Sequence, residues 1–212
     1  MTPFGDMVPG LDRFLEQQPY MSIKPGSKPG LVIEGKFCFS AESPGCKGIT
    51  DNYELVLEIP ERFPKEVPRA TECGYRIPRT LAFHVNADGS LCLGSPLRLL
   101  LKLAEYPSLP GFASKCLVPY LYAISYKLKY GGKLLFGELG HGTPGELADY
   151  ADLFGLQSPD AARRAWELLR MKKRIANKRR CPCGCGRRLG KCDFNWTIRK
   201  FRRLLNSPGF SP

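Results

Sequence analysis

Residues 53–68 read YELVLEIPERFPKEVP. Tyr53, Leu55, Leu57 and Ile59 alternate with Glu54, Val56 and Glu58, the period-two pattern of an antiparallel strand with one strongly apolar face. Pro60, Pro64 and Pro68 then recur every four residues. Proline lacks the backbone donor that a central strand needs, so this segment is expected to be an edge or an ordered extended crossing. Upstream, the Pro/Gly punctuation KPGSKPG (24–30) precedes LVIEGKFCFSA (31–41), rich in the residue types strands favour. Two strands in meander order are expected. Before them, Leu11, Phe14 and Leu15 are spaced as on one helical face, and Pro19 ends that pattern.

Downstream lies FHVNADGSLCLG, residues 83–94. Its Asp88-Gly89 pair is a tight-turn signal, and just beyond it one cysteine, Cys92, sits between two leucines. LRLLLKLAEY (97–106) has helical potential. FASKCLVPYLYAISYKLKYGG (112–132) predicts a helix with Pro119 in its first turn and Gly131 at its end. Another short helix is expected after Thr143-Pro144. Ser158-Pro159-Asp160 combines a hydroxyl cap, a proline at the first helical position and an acid near the positive helix end, which predicts a basic helix to about Lys178.

With 212 residues, 43% hydrophobic and 25% charged, the chain has the composition of an ordinary globular protein able to bury a core. The start, MTPFGDMVPGLDRF, lacks the basic flank and apolar run of a secretory signal. The longest apolar-looking run, CLVPYLYAISY, covers 11 residues, far short of the roughly 20 that span a bilayer. A cytoplasmic protein without membrane segments is expected. Nine cysteines cannot all pair within one molecule, and a reducing compartment disfavours disulfides. Cys38, Cys46, Cys73, Cys92 and Cys116 are scattered, whereas Cys181, Cys183, Cys185 and Cys192 crowd into twelve residues. Charge divides the chain similarly: residues 163–203 carry a net +14, and the remainder −2.

A helix, a meander, a proline-marked crossing, a loop with one cysteine and then helices: taken in order over about residues 10–155, this resembles the ubiquitin-conjugating enzyme fold. YELVLEIPERFPKEVP is similar to that family's strand and its Tyr/Phe-Pro-x-x-x-Pro segment, and HVNADGSLCLG to its His-Pro-Asn…Gly-x-Ile/Leu-Cys-Leu. GELGHGTPGELADYADLFG (137–155) is similar to bacterial members found in antiphage islands, notably CBASS operons. The resemblance implies an α+β domain over 1–155, a four-stranded antiparallel meander flanked by helices, and an acyltransferase carrying a thioester on Cys92. It also implies a donor with a reactive C-terminus, a cGAS-like nucleotidyltransferase. The chain has neither a Gly-x-Gly-x-x-Gly fingerprint nor a P-loop lysine, so a separate activating enzyme, or an already activated donor, is expected from outside.

A thiol suits acyl transfer because it is both nucleophile and leaving group. Asn86 is a candidate oxyanion donor or a turn residue bonding its own backbone. His84 is either a structural imidazole or an acid–base group; His141 is either a base or donor for the incoming nucleophile or a loop histidine. Val85 stands where the family usually has proline, and Asn86 lies two residues closer to the cysteine than in the eukaryotic motif. Two readings compete with the enzyme: an adaptor that binds protein or nucleic acid through its tail, and a redox or metal-binding protein.

For the tail, 156–212, CPCGCGRRLGKC (181–192) resembles the zinc motif at the C-terminus of the SecA translocase, with Cys181, Cys183 and Cys192 in register. That family's fourth ligand falls on Asp193. Cys185 is favoured over it because structural zinc takes four tetrahedral ligands, usually thiolates. Trp196 and Phe201 among Arg199, Lys200, Arg202 and Arg203 suit either stacking on bases or packing the knob onto the basic helix, and docking of a partner protein is preferred to nucleic acid.

Overall fold

The computed structural model describes residues 8–25, 30–132, 134–135 and 142–205. By packing, the chain forms two units, Met1–Glu138 and Leu139–Pro212. The first is α+β. Helix α1 (Leu11–Gln17) is followed by strands β1 (Met21–Lys24), β2 (Leu31–Ala41), β3 (Ile49–Ile59) and β4 (Arg69–Glu72), all antiparallel in the order β1-β2-β3-β4. The expected meander is therefore present.

Alternation in β3 has the predicted consequence: Tyr53, Leu55, Leu57 and Ile59 are all 2% exposed or less. Ile33, Phe37 and Phe39 of β2 face the same core, which is filled by Leu109, Phe112, Leu117, Leu121 and Ile124 from the helices that follow. Each fully buried large side chain contributes about 1.5–3 kcal/mol, so this one face supplies most of what holds the sheet to its helices. The proline segment after β3 forms turns instead of a strand, with Phe63 N–H donating to the Pro60 carbonyl at 3.0 Å and Phe63 buried.

Helix α2 (Pro96–Glu105) begins with Ser95 Oγ accepting the Arg98 amide at 3.4 Å and proline in its first turn. Helix α3 (Leu109–Phe112) runs through a π-helical turn, Ala113–Leu117, into α4 (Val118–Tyr130). Pro119 explains the widened turn. It has no N–H to offer and its ring crowds the carbonyl four residues back. That carbonyl belongs to Lys115, and the Lys102 ammonium of α2 donates to it at 2.9 Å. Gly131, at φ +74°, closes α4 as expected.

A polar chain ties α4 to β3. Tyr53 Oη and Ser125 Oγ are 2.7 Å apart, Ser125 Oγ donates to Asp51 Oδ2 at 2.9 Å, and the Arg76 guanidinium reaches both Asp51 oxygens at 3.0 and 3.2 Å. Arg76 also lies 4.6 Å over the Tyr53 ring.

The second unit holds α5 (Gly142–Phe154), α6 (Pro159–Arg170), α7 (Lys173–Ala176) and α8 (Phe194–Leu205). By packing, α5 falls in this unit, where its aromatics meet those of the later helices: Tyr150 lies 5.3 Å from Trp166 and Phe154 lies 4.9 Å from Phe201, ring centre to ring centre. Ser158 caps α6 as expected, accepting the Ala161 amide at 3.2 Å. The basic helix does not reach Lys178, however. It stops at Met171, whose backbone is extended, and the Arg202 guanidinium donates to the Leu168, Leu169 and Met171 carbonyls at that end. A cation satisfying terminal carbonyls is a favourable helix stop.

Burial alone would raise the Asp51 pKa, but hydrogen bonds from Arg76, the Asn52 amide and Ser125 outweigh it and hold the carboxyl below its ordinary 3.8. A carboxylate with a depressed folded pKa stabilises the fold above its unfolded pKa, and that contribution is lost as pH falls through the folded value. Asp51→Asn is therefore expected to lower the urea midpoint at neutral pH and to lose less stability than wild type between about pH 5 and about pH 3. Parallel stability curves for the two proteins would exclude this role.

Candidate functional site

Residues Leu81–Phe83 make one 3-10 turn, and the chain then folds into a hairpin. Val85 pairs with Leu91, the Asn86 amide donates to the Ser90 carbonyl at 2.8 Å and the Gly89 amide to the Asn86 carbonyl at 2.9 Å. Gly89 sits at φ +81°, a left-handed position that closes this three-residue loop and favours glycine. Asp88 stiffens it: its Oδ1 accepts from Ser90 Oγ at 2.6 Å and from the Ser90 amide at 3.0 Å. These bonds hold the Asp88 carboxyl below its ordinary pKa, with Arg69, 3.0 Å away, adding a smaller contribution.

The hairpin is docked on β4. Leu91 N–H donates to the Ala70 carbonyl at 2.8 Å, and Ser90 bridges to Thr71 in antiparallel fashion. An otherwise open sheet edge is covered in this way. Cys92 follows immediately, half-buried, with its N–H on the His84 carbonyl at 2.8 Å. The thiol thus sits where an edge of the sheet meets the start of α2.

Helix α4 clamps the same loop from the other side. Tyr120 Oη donates to the Phe83 carbonyl at 2.8 Å, with the His84 carbonyl at 3.5 Å. Two turns along the same face, Lys127 Nζ donates to the Ala82 carbonyl at 2.9 Å and lies 4.7 Å over the Phe83 ring. Burial pushes the Tyr120 phenol well above its ordinary pKa, and Cys92 adds a smaller rise. Neither Tyr120 nor Lys127 is marked by any motif. Their seven-residue spacing puts them on one helical face, but nothing local shows what that face meets.

His84 and Asn86, the residues singled out beside Cys92, are both in the hairpin. His84 is 6% exposed and has φ +52°; its backbone carbonyl is the acceptor for Cys92. Asn86 is exposed, and its side-chain amide donates to Ser90 Oγ at 3.0 Å, the arrangement of a residue that holds the turn. His141 lies outside the described residues. Of the scattered cysteines, Cys116 is buried, and burial pushes its thiol up to about 11.

The second unit carries the four-cysteine cluster. The sulfurs of Cys181, Cys183, Cys185 and Cys192 all lie within 4.8 Å of one another, with separations of 3.1 Å for Cys181–Cys183, 3.5 Å for Cys185–Cys192 and 3.6 Å for Cys183–Cys192. Four sulfurs about 2.3 Å from a central ion would be about 3.8 Å apart, so the cluster can hold a metal ion. Gly184 and Gly186, at φ +84° and +72°, let the chain turn between ligands. The Cys181 amide donates to the Arg187 carbonyl at 2.8 Å and the Leu189 amide to the Arg179 carbonyl at 2.8 Å, closing the knob. Burial raises the Cys181 and Cys183 pKa values, whereas the Arg187 backbone amide, followed by the Cys183 side chain, draws Cys185 down to about 6. Cys185 belongs to the convergent set; Asp193 instead stands at the start of α8, its carbonyl accepting the Trp196 amide at 2.8 Å.

Tyr120→Phe leaves the Phe83 carbonyl without this donor. The expected cost is about 1–3 kcal/mol, read from the urea midpoint, together with faster amide exchange at Cys92. An unchanged midpoint and unchanged exchange would show that α4 does not hold the loop. No protein-family model, curated protein or solved structure matches the chain.

Proposed function

We propose that the first unit is a ubiquitin-conjugating-like domain in which Cys92 carries an acyl group as a thioester. The observation that carries this reading is the docked hairpin: it sets a half-buried thiol at the rim of a sheet edge, held through backbone bonds to Ala70, Thr71 and His84. The helix–meander–hairpin–helix order agrees with it. Membership of the CBASS type, with a cGAS-like nucleotidyltransferase as donor and transfer in antiphage defence, is part of the same proposal and rests on the sequence motifs.

The chemistry needs little from the neighbouring side chains. The Cys92 thiolate attacks an activated acyl carbon presented as a thioester on an external activating enzyme; the new C–S bond replaces the old one, and the donor thiol leaves with a proton. An amine then attacks the Cys92 thioester, the thiolate departs, and the amine proton passes to solvent or a base. With Asn86 engaged at Ser90, its first role is to hold the hairpin, and an oxyanion role requires its amide to leave that bond. Tyr120, protonated, keeps the loop in place from beneath.

For the second unit we propose structural zinc at Cys181, Cys183, Cys185 and Cys192. Zinc, when bound, supplies a cross-link that joins the knob to the start of α8 and keeps four thiolates ionised.

Two measurements test these readings. Mixed with an activating enzyme and a cGAS-like nucleotidyltransferase as donor, the wild type is expected to give an adduct cleaved by reductant or hydroxylamine; Cys92→Ala abolishes it, and Cys92→Ser replaces it with a reductant-stable oxyester, because an alkoxide leaves far less readily than a thiolate. An adduct that persists, reductant-labile, on another cysteine of Cys92→Ala overturns the assignment. Protein purified without chelator is expected to contain about one zinc per chain, lost on replacing Cys183→Ser and Cys192→Ser together; zinc unchanged in that variant refutes the site.

A further inference from the structure

Helix α8 has two unlike faces. Ile198 and Phe201 are buried, at 0% and 6% exposure, and Phe201 packs on Phe154. The other face is a stripe of Trp196, Arg199, Lys200 and Arg203, spaced at i, i+3, i+4 and i+7 and all exposed. Trp196 is 68% exposed, and the Lys200 ammonium lies 5.8 Å from its ring centre. A tryptophan needs no such position for packing, since the helix is already anchored by Ile198 and Phe201.

The charge around this stripe is one-sided. Residues 139–212 carry 16 Lys/Arg against 6 Asp/Glu, a net +10. Arg187, Arg188 and Lys191 of the cysteine knob are exposed. A cleft of about 350 Å³ is lined by Arg164, Arg179 and Arg180 together with Glu167, Leu168 and Met171. The one acid there, Glu167, is already held by Arg163 at 2.9 Å.

We propose that the second unit binds single-stranded nucleic acid, with an unpaired base stacking on Trp196 and the backbone phosphates following Arg199, Lys200 and Arg203. The stripe runs about 10 Å along the helix, enough for one or two nucleotides, and the arginine-lined cleft takes phosphates further along the strand. An acidic protein surface would be met by the cations alone. The bare indole among them calls for a flat apolar partner joined to negative charge, which is what an unpaired base and its phosphate provide. A duplex keeps its bases stacked on one another and offers this stripe only phosphates. The inference concerns the second unit and is independent of acyl transfer at Cys92.

The test uses the full-length, metal-replete chain and a fluorescein-labelled oligodeoxythymidylate, followed by anisotropy at low salt. Binding is expected to weaken steeply with added salt, to quench tryptophan fluorescence, and to exceed that of a duplex of equal length. Trp196→Ala is expected to weaken it about tenfold, with Trp196→Phe retaining most of the affinity, while circular dichroism and metal content stay unchanged because the side chain is exposed. Lys200→Ala is expected to reduce the slope of log K against log salt by about one. Absence of binding at low salt overturns the proposal. So does equal affinity for duplex, or affinity indifferent to Trp196→Ala and displaced equally well by polyglutamate, the last being the mark of a surface for acidic protein.

Discussion

The hydrogen bond from Leu91 N–H to the Ala70 carbonyl, 2.8 Å long, fixes the geometry on which the first unit depends. β4 is only four residues long and would otherwise end the sheet with unsatisfied donors and acceptors. The hairpin over residues 84–92 takes up that edge, and its own closure is decided by Asp88, Gly89 and Ser90. Because the hairpin is registered to the sheet by backbone bonds, with its Val85 and Leu91 buried in the core, Cys92 is positioned by the same forces that hold the core strands. Tyr120 and Lys127 then lock the approach from α4, so loop and helix form one support for the thiol.

The second unit solves a different problem. Its helices are short and, α5 apart, rich in arginine and lysine, and a small unit of this kind has limited core to offset the repulsion and chain entropy. Three devices compensate. Aromatics from α5, α6 and α8 interlock; Arg202 takes the last carbonyls of α6 even though burial opposes its charge; and four cysteines converge before α8. One basic residue is thus used for structure inside the unit while the others remain on its surface.

Much of this was legible in the chain itself, and what was not has a common cause. The alternation from Tyr53 to Ile59, the Asp88-Gly89 turn, the Ser158-Pro159 helix start and the crowded cysteines are all local signals, and each gives rise to the element its chemistry dictates. The π-helical turn follows from Pro119, but its resolution by Lys102, far away in sequence, does not. The early stop of the basic helix at Met171 depends on Arg202, more than thirty residues on, and without that donor the pattern through Lys178 reads as continuous. Tyr120 looks like any helical aromatic until the loop it meets is known. Asn86 shows the same dependence on a partner: its type suits an oxyanion donor or a turn residue, and its side-chain amide is engaged at Ser90. Residue type names a capability, and the partner decides which one is used.

The central claim is that the fold presents the Cys92 sulfur for reaction while the Cys116 sulfur is packed in the core. Residue-resolved alkylation with iodoacetamide, in native buffer near neutral pH and read by peptide mass spectrometry, addresses it directly. Cys92 is expected to react from the folded state, at a rate insensitive to small amounts of denaturant, whereas Cys116, buried and with its thiol raised to about 11, reacts only as the protein unfolds. If Cys92 is modified no faster than Cys116, and with the same dependence on denaturant, the sulfur is a core atom and cannot carry an acyl group.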